Sequence, residues 1–119
     1  MLTKKQIGMY EDDRGHLLWT SPKLLNFNYK YLTLGTINPG CRRGGHYHKK
    51  MKEMIMCVSG KIIFQLENES LELEAGEVTN IPINMVHTVY NEKENKEVAV
   101  FIEFKDEEFE MIKEDTYTR

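Results

Sequence analysis

The 119-residue chain has few cysteines and no long apolar run, which excludes two large classes of protein. Cys41 and Cys57 form no Cys-x-x-Cys motif and are too few for a disulfide framework. No stretch approaches the roughly 20 apolar residues that a membrane-spanning helix needs, and the amino terminus lacks the apolar run of a secretion signal. These absences predict a cytoplasmic protein without membrane contact.

Basic residues are not in excess either. Sixteen basic and 19 acidic residues give a formal net charge of -3. A surface that binds nucleic acid needs a basic excess on one face, so no nucleic-acid partner is expected. A small molecule is the expected partner.

The chain also lacks an internal repeat, a low-complexity linker or a shift in composition, so residues 1–119 are predicted to form one domain. Before residue 105 no segment has a helical period. Stretches of alternating apolar and polar residues, bounded by turn residues, predict strands at 29–37, 54–58, 62–66, 71–75, 78–81, 86–90 and 98–104. The pattern predicts an all-β sandwich or jelly roll with its core barrel over about 28–104. A short helix, or alternatively a loosely held tail, is predicted to follow.

Histidine is present in a distinctive arrangement. His46 and His48 are two residues apart, so on an extended strand their side chains leave the same face. The polar stretch 49–52 can then turn the chain, so that the next strand returns the Glu53 carboxylate toward that face. A second block, built around Pro82 and Asn84, supplies His87 from elsewhere in the fold.

Three imidazoles and one carboxylate suit a divalent transition ion such as Zn, Mn, Fe or Ni. The predicted metal ligands are His46, His48, Glu53 and His87. Four protein ligands leave open positions on an octahedral ion for water or substrate, so the same set could serve catalysis.

The two blocks resemble the two signatures of the cupin superfamily. Every fixed position of the first signature is present, from Gly40 to Gly60, and in the second only Asn84 departs, standing where the family usually has glycine. Asparagine tolerates positive φ better than most residues. The resemblance implies a single-domain cupin with a double-stranded β-helix, or jelly-roll barrel. Some cupins that act on sugars use these histidines as acid or base without metal, so both chemistries stay open.

A more specific resemblance is carried by the segments 13–15 (Asp-Arg-Gly) and 43–48 (Arg-Gly-Gly-His-Tyr-His). They are similar to segments of sugar-nucleotide cupins, which include dTDP-4-keto-6-deoxyhexose 3,5-epimerases and the related 3,4-ketoisomerases. This resemblance implies isomerisation or epimerisation of a phosphorylated or nucleotide-linked keto-sugar in cell-surface carbohydrate biosynthesis. It also implies that His46 is the catalytic base, with His48 as its catalytic neighbour. The chain departs from that group by being shorter than the epimerases and by keeping the full metal set.

The implied chemistry needs a base, a second acid and an anion-binding group. A base of near-neutral pKa can remove a C–H proton next to a ketone if the enolate is stabilised. A ligated His46 cannot also take that proton, so ligand and base are alternative roles for it. Tyr31, Tyr47 and Tyr90 are candidates for the second acid. Tyr47 ranks last, because on a regular strand it should face away from the two histidines that flank it, and Tyr90 is the preferred acid. Arg42 and Arg43, whose guanidinium groups recognise phosphate or carboxylate, are predicted with Tyr31 to bind an anionic sugar or keto compound.

Two further classes stay open at this stage, because fold does not settle function. A mononuclear iron or manganese dioxygenase would use the same four ligands with open positions for O2. A non-catalytic cupin would only hold a sugar or a small acid. We also expect a homodimer, because the row of Met54, Met56 and Val58 needs cover and closed two-fold symmetry is the commonest way to provide it. A second layer of the same chain over this row is the alternative.

Overall fold

The computed structural model describes residues 2–118, so Met1 and Arg119, the ends of the predicted domain, lie outside the described residues. Within that span the chain forms twelve strands and two short helices. The strands are β1 (Lys5–Gln6), β2 (Gly8–Asp12), β3 (Gly15–Trp19), β4 (Tyr31–Ile37), β5 (Arg42–Tyr47), β6 (Glu53–Ser59), β7 (Lys61–Leu66), β8 (Glu69–Glu74), β9 (Glu77–Ile81), β10 (His87–Tyr90), β11 (Ala99–Lys105) and β12 (Tyr117–Thr118). The helices are α1 (Pro22–Leu25) and α2 (Phe109–Glu114). The all-β prediction and the short carboxy-terminal helix are confirmed.

Two antiparallel sheets enclose the main core. The first sheet has the order β1-β9-β6-β11-β4 and the second sheet has the order β12-β5-β10-β7-β8. Both contribute apolar side chains to one buried cluster, including Ile55 and Phe101 from the first and Phe64 and Leu73 from the second. Consecutive strands therefore alternate between sheets in several places, which is the predicted jelly-roll arrangement.

The alternating residues form strands because one face of each is buried. In β7, Ile62 and Phe64 are fully buried, whereas Lys61 and Gln65 are exposed. A one-residue slip in register would place the apolar set in water, so this pattern fixes the pairing of β7 with β8 and β10.

A second apolar cluster covers the outer face of the first sheet. Met54 and Met56 are buried there against Ile7, Leu25 and Phe104. The amino-terminal part of the same chain therefore covers the methionine row, as in the alternative to a subunit interface. The methionine row gives no reason to place a subunit interface on this face.

The amino-terminal region contains structure that sequence patterning did not reveal. The sequence shows no helical period before residue 105, yet α1 forms a single helical turn there. The Ser21 side chain accepts a hydrogen bond from the Leu24 N–H, Pro22 begins the helix and Asn26 ends it in the left-handed conformation. A four-residue helix is too short to show a period. Neither helix within 2–118 is long and apolar enough to cross a membrane.

Both sheets also extend beyond 28–104. Strand β1 joins the edge of the first sheet, and β12 joins the edge of the second by pairing with Tyr47 and His46. The β2–β3 hairpin is a separate two-stranded sheet. The ends of the chain therefore complete the barrel.

Candidate active site

Strand pairing brings the three histidines together. His46 near the end of β5 pairs in register with His87 at the start of β10, and His48 follows β5 directly. The ring centroids are 4.6 Å apart for His46 and His87, 5.0 Å for His46 and His48, and 5.3 Å for His48 and His87. One nitrogen of each ring lies within 4.8 Å of the other two. The predicted convergence of these residues is present in the structure.

Glu53 joins the histidines at the start of β6. Its Oε1 lies 2.7 Å from Nε2 of His48 and 3.8 Å from Nε2 of His87, and the residue is 2% exposed. The 49–52 turn returns the carboxylate as the sequence indicated. On the other side, Asn84 has a φ of 63° and donates its backbone N–H to the His48 carbonyl oxygen at 2.6 Å. Asn84 therefore adopts the left-handed conformation at the position where the family usually has glycine.

The three histidines form a group that could hold a cation, and the Glu53 carboxylate lies beside two of them. Among the described residues, Nε2 of His87 is buried without a hydrogen-bond partner, and the buried Oε1 of Glu53 lies 2.7 Å from Nε2 of His48. A buried polar atom left unpaired is costly, and a cation beside the three rings would satisfy it. Nitrogen and carboxylate donors are suitable for Zn, Mn, Fe or Ni.

The histidines have different electrostatic environments. Burial, with a contribution from His48, lowers the pKa of His46, and burial lowers the pKa of His87 to about 4. Both rings are therefore neutral near pH 7, the form that binds a metal or accepts a proton. Burial would also lower the pKa of His48, but the Glu53 carboxylate and the Asp115 carbonyl outweigh it and the pKa is raised.

Asp115, at the end of α2, holds the segment that follows His48. Its backbone carbonyl accepts a hydrogen bond from Nδ1 of His48 at 2.8 Å, which leaves Nε2 directed at Glu53. Its buried carboxylate accepts hydrogen bonds from the backbone N–H groups of Lys49 at 3.1 Å, Lys50 at 2.9 Å and Met51 at 2.8 Å. Sequence analysis missed this residue because it lies 67 positions from His48 and no local pattern links the two.

Lys105 and Glu103 lie on β11 beside the cage, which is the group formed by His46, His48, Glu53 and His87. Nζ of Lys105 lies 3.6 Å from Oε2 of Glu53, 3.1 Å from Oε1 of Glu103 and 3.0 Å from the Thr33 hydroxyl. Burial and the Glu53 carboxylate raise the pKa of Glu103, while Lys105 opposes them. Sequence analysis missed both, although alternation along β11 places them on the same face as the inward Phe101.

A cavity of about 420 Å³ opens beside the histidines between the two sheets. Its polar lining residues are Thr33, Arg43, His46, His87 and Glu103. The volume is in the range of small-molecule sites, and apolar walls with a few converging polar groups are typical of them. The arrangement can hold an anionic molecule next to a neutral imidazole.

A bulge explains why Arg43 reaches this cavity. Arg43 and His46 are three residues apart, so a regular strand would direct them to opposite faces. The pairing of β5 with β10 skips Gly45, and both Gly44 and Gly45 have positive φ. A Cβ on Gly44 would lie 2.7 Å from the His87 carbonyl oxygen, so the bulge requires glycine there.

The other predicted site residues lie elsewhere. Tyr90 and Arg42 are partners across β5 and β10 and line a separate surface depression. Tyr31 packs against Phe109 of α2, with ring centroids 5.9 Å apart, and does not line the cavity. Tyr47 stacks on Tyr117 rather than facing the cage, as strand alternation predicted.

Comparison with known proteins places this geometry in a family. The cupin domain profile matches residues 33–103, and the chain belongs to the cupin family. A curated relative, "Polyketide synthase CurC" of Streptomyces cyaneus, is 31% identical over 71 residues, which are 60% of this chain and 46% of the relative. The chain thus spans about half the length of that relative.

Similar solved structures share the fold across nearly the whole chain. A double mutant of the QdtA 3,4-ketoisomerase from Thermoanaerobacterium thermosaccharolyticum, in complex with TDP, has a TM-score of 0.82 at 21% identity, covering 99% of this chain and 87% of its own. A 3,4-ketoisomerase from Helicobacter canadensis has a TM-score of 0.80 at 18% identity, covering 99% and 90%. The dTDP-6-deoxy-D-glucose-3,5-epimerase RmlC from Legionella pneumophila has a TM-score of 0.77 at 15% identity, covering 98% and 71%. At these identities the likeness establishes the fold.

Proposed function

We propose that this cupin isomerises or epimerises a keto-sugar that carries a phosphate or nucleotide. The observation that supports this most is the shared cavity of His46, a neutral base, and Arg43, a cation that suits phosphate. Solved structures of similar fold include enzymes named for such reactions, one of them in complex with TDP-4-keto-6-deoxyglucose.

In the proposed reaction a ketone acidifies the neighbouring C–H bond, and the His46 imidazole accepts the proton. Arg43 holds the anionic group, so that the reacting carbon stays beside the ring. The bulge at Gly44 and Gly45 lets the ligand approach the backbone closely. In the alternative, a divalent ion held by His46, His48, Glu53 and His87 would polarise the carbonyl oxygen as a Lewis acid, and His46 would then not be the base.

The direct test is solvent exchange. The protein is incubated in D2O with TDP-4-keto-6-deoxyglucose, and deuterium next to the carbonyl is measured by mass spectrometry and NMR. Exchange with formation of a new isomer supports the proposal. Oxygen consumption with a diketone, thiol or flavonoid, which the cage would permit if it holds iron or manganese, would indicate a dioxygenase instead. Tight binding without either signal would indicate a binding protein.

Replacing Arg43 with alanine is expected to weaken binding of TDP roughly 10-fold or more, since a charge-assisted hydrogen bond contributes about 1.5–3 kcal/mol. The matched control is Arg42→Ala, because Arg42 is the adjacent residue and lies outside the cavity. Isothermal titration calorimetry measures both variants. Equal losses for the two variants would contradict a specific role for Arg43.

For the alternative role of His46, we propose that His46, His48, Glu53 and His87 together hold Zn, Mn, Fe or Ni. Loss of partners of metal ligands already weakens binding roughly 10- to 100-fold, so His48→Ala, which removes a ligand, should weaken it at least as much. Metal content after dialysis, measured by elemental analysis, is expected to fall. The control is His16→Ala, since His16 is exposed on the β2–β3 hairpin. Unchanged metal content in His48→Ala would contradict a shared site.

We propose that the partner of the chain in solution is a second copy, bound through the β2–β3 hairpin. Tyr10, Leu17 and Trp19 are exposed on one face of this hairpin, since Tyr10 pairs with Leu17, and Leu17 is 67% exposed. Large apolar side chains grouped on a surface mark interaction sites, and two-fold pairing would cover them. Light scattering is expected to give twice 14.0 kDa, and Leu17→Lys should restore the single mass. A monomeric wild type at micromolar concentration would contradict this.

A further inference from the structure

We propose that Glu103 is the second acid–base residue of this site and moves the oxygen-bound protons while His46 moves the carbon-bound proton. This inference rests on the proposed function and narrows it to transposition of a carbonyl group between adjacent carbons. Glu103 lies on β11 of the first sheet and His46 lies on β5 of the second, and both residues line the same cavity. A molecule bound there contacts the two groups from two sheets.

The other described residues that line the cavity are less suited to this role. Arg43 does not lose its proton in proteins, and Thr33 carries only a weakly acidic hydroxyl. His87 belongs to the cage. Glu103 is the only carboxyl group among the cavity-lining residues within 2–118. Tyr90, the acid expected from the sequence, lies outside the cavity.

The surroundings of Glu103 keep it oriented and accessible. Its Oε1 accepts a hydrogen bond from Lys105 at 3.1 Å, and among the described residues no donor reaches Oε2. The side chain is 18% exposed, whereas that of Glu53 is 1% exposed, so a ligand can reach Glu103. Burial and the neighbouring Glu53 raise the pKa of Glu103, which increases its protonated fraction near neutral pH and favours an acid role.

The proton transfers balance without a further reactant. As His46 removes the proton from the carbon that bears the hydroxyl, the Glu103 carboxyl donates its proton to the carbonyl oxygen, and an enediol forms. The Glu103 carboxylate then accepts the proton of the original hydroxyl, which becomes the new carbonyl. The imidazolium of His46 returns its proton to the former carbonyl carbon. Both residues end in their starting protonation states.

The test compares Glu103→Gln with wild type on TDP-4-keto-6-deoxyglucose. Glutamine keeps the shape and the contact with Lys105 but cannot shuttle a proton, so kcat for transposition should fall about 100-fold, in the range of general acid–base contributions. Binding of TDP, measured by calorimetry, should stay within about threefold, which is less than the loss of one typical hydrogen bond would cause. The control is Glu72→Gln, because Glu72 is exposed on the outer face of β8.

Glu103→Asp provides a second variant that retains the carboxyl group, and it should recover part of the lost kcat. Turnover of folded Glu103→Gln near the wild-type rate would overturn the inference. Equal losses in the glutamine and aspartate variants, with native-like thermal melting, would also overturn it. A wild type that neither exchanges solvent deuterium nor transposes the carbonyl would instead refute the proposed function, and the inference with it. Deuterium exchange without carbonyl transposition in the wild type would still support His46 as the base and would refute only the role proposed for Glu103.

Discussion

His46→Ala is expected to lower the turnover of a keto-sugar nucleotide about 1,000-fold, within the range measured for loss of a general base. The reason is that burial holds the pKa of His46 below its usual value, so the neutral ring is available as a base near pH 7. Turnover and solvent deuterium incorporation are measured on the same samples. His16→Ala is the matched control, since that exposed imidazole lies on the hairpin.

The same variant also separates the two possible roles of His46. If His46 is a free base, chelator treatment leaves the wild-type rate unchanged, and His46→Ala is inactive at normal affinity for TDP. If it is a ligand, chelator and mutation lower the rate together, and added metal rescues only the wild type. A rate in His46→Ala within threefold of wild type would remove the residue from the reaction, because even weak acid–base contributions are about 100-fold.

Asp115→Ala is expected to lower the free energy of unfolding by about 2–4 kcal/mol, since three backbone N–H groups lose a charged acceptor. Urea denaturation followed by circular dichroism measures the change. Asp106→Ala is the control: the Asp106 carboxylate accepts a single hydrogen bond, from the exposed Lys52 N–H at 2.9 Å, and about 1 kcal/mol is expected. Equal effects of the two substitutions would contradict the proposed importance of the Asp115 contacts.

The pH dependence of the Asp115 effect has a definite sign. Burial alone would raise the pKa of Asp115, but the hydrogen bonds from Met51, Lys50 and Lys49 outweigh it and the pKa is lowered. The stabilisation is therefore fully present above the unfolded-state pKa of about 3.9 and is lost as the pH falls through the folded-state pKa. The difference in stability between wild type and Asp115→Ala should shrink in acid. A difference that grows as the pH falls would contradict this.

Sequence spacing predicted three of the four cage residues, because local rules place them. The two-residue spacing of His46 and His48, and the return of the chain at Glu53, follow from strand alternation and a turn. The contribution of His87 came from the resemblance to cupins. Asp115 and Lys105 could not be predicted in this way, since their contacts depend on how α2 and β11 pack against segments distant in the sequence.

The same three-residue spacing had opposite outcomes on two neighbouring strands. Tyr90 follows His87 by three positions on a regular strand and faces away from the cavity. Arg43 precedes His46 by three positions, yet both line the cavity because the bulge absorbs one residue. Alternation alone would have excluded Tyr90 as the acid. The two glycines were the available signal for Arg43, since glycine inside a strand often marks a bulge.

The bulge in β5 also affects how the cavity wall formed by this strand tolerates insertions and deletions. Deleting one of the two glycines would leave Arg43 two positions before His46, so an unbulged strand would still direct both inward. Such a deletion would straighten the strand and reduce its local twist without exchanging inward for outward side chains. Evolution could therefore reshape the entrance for substrates of different bulk through a single lost or gained codon, while the reactive groups keep their orientation.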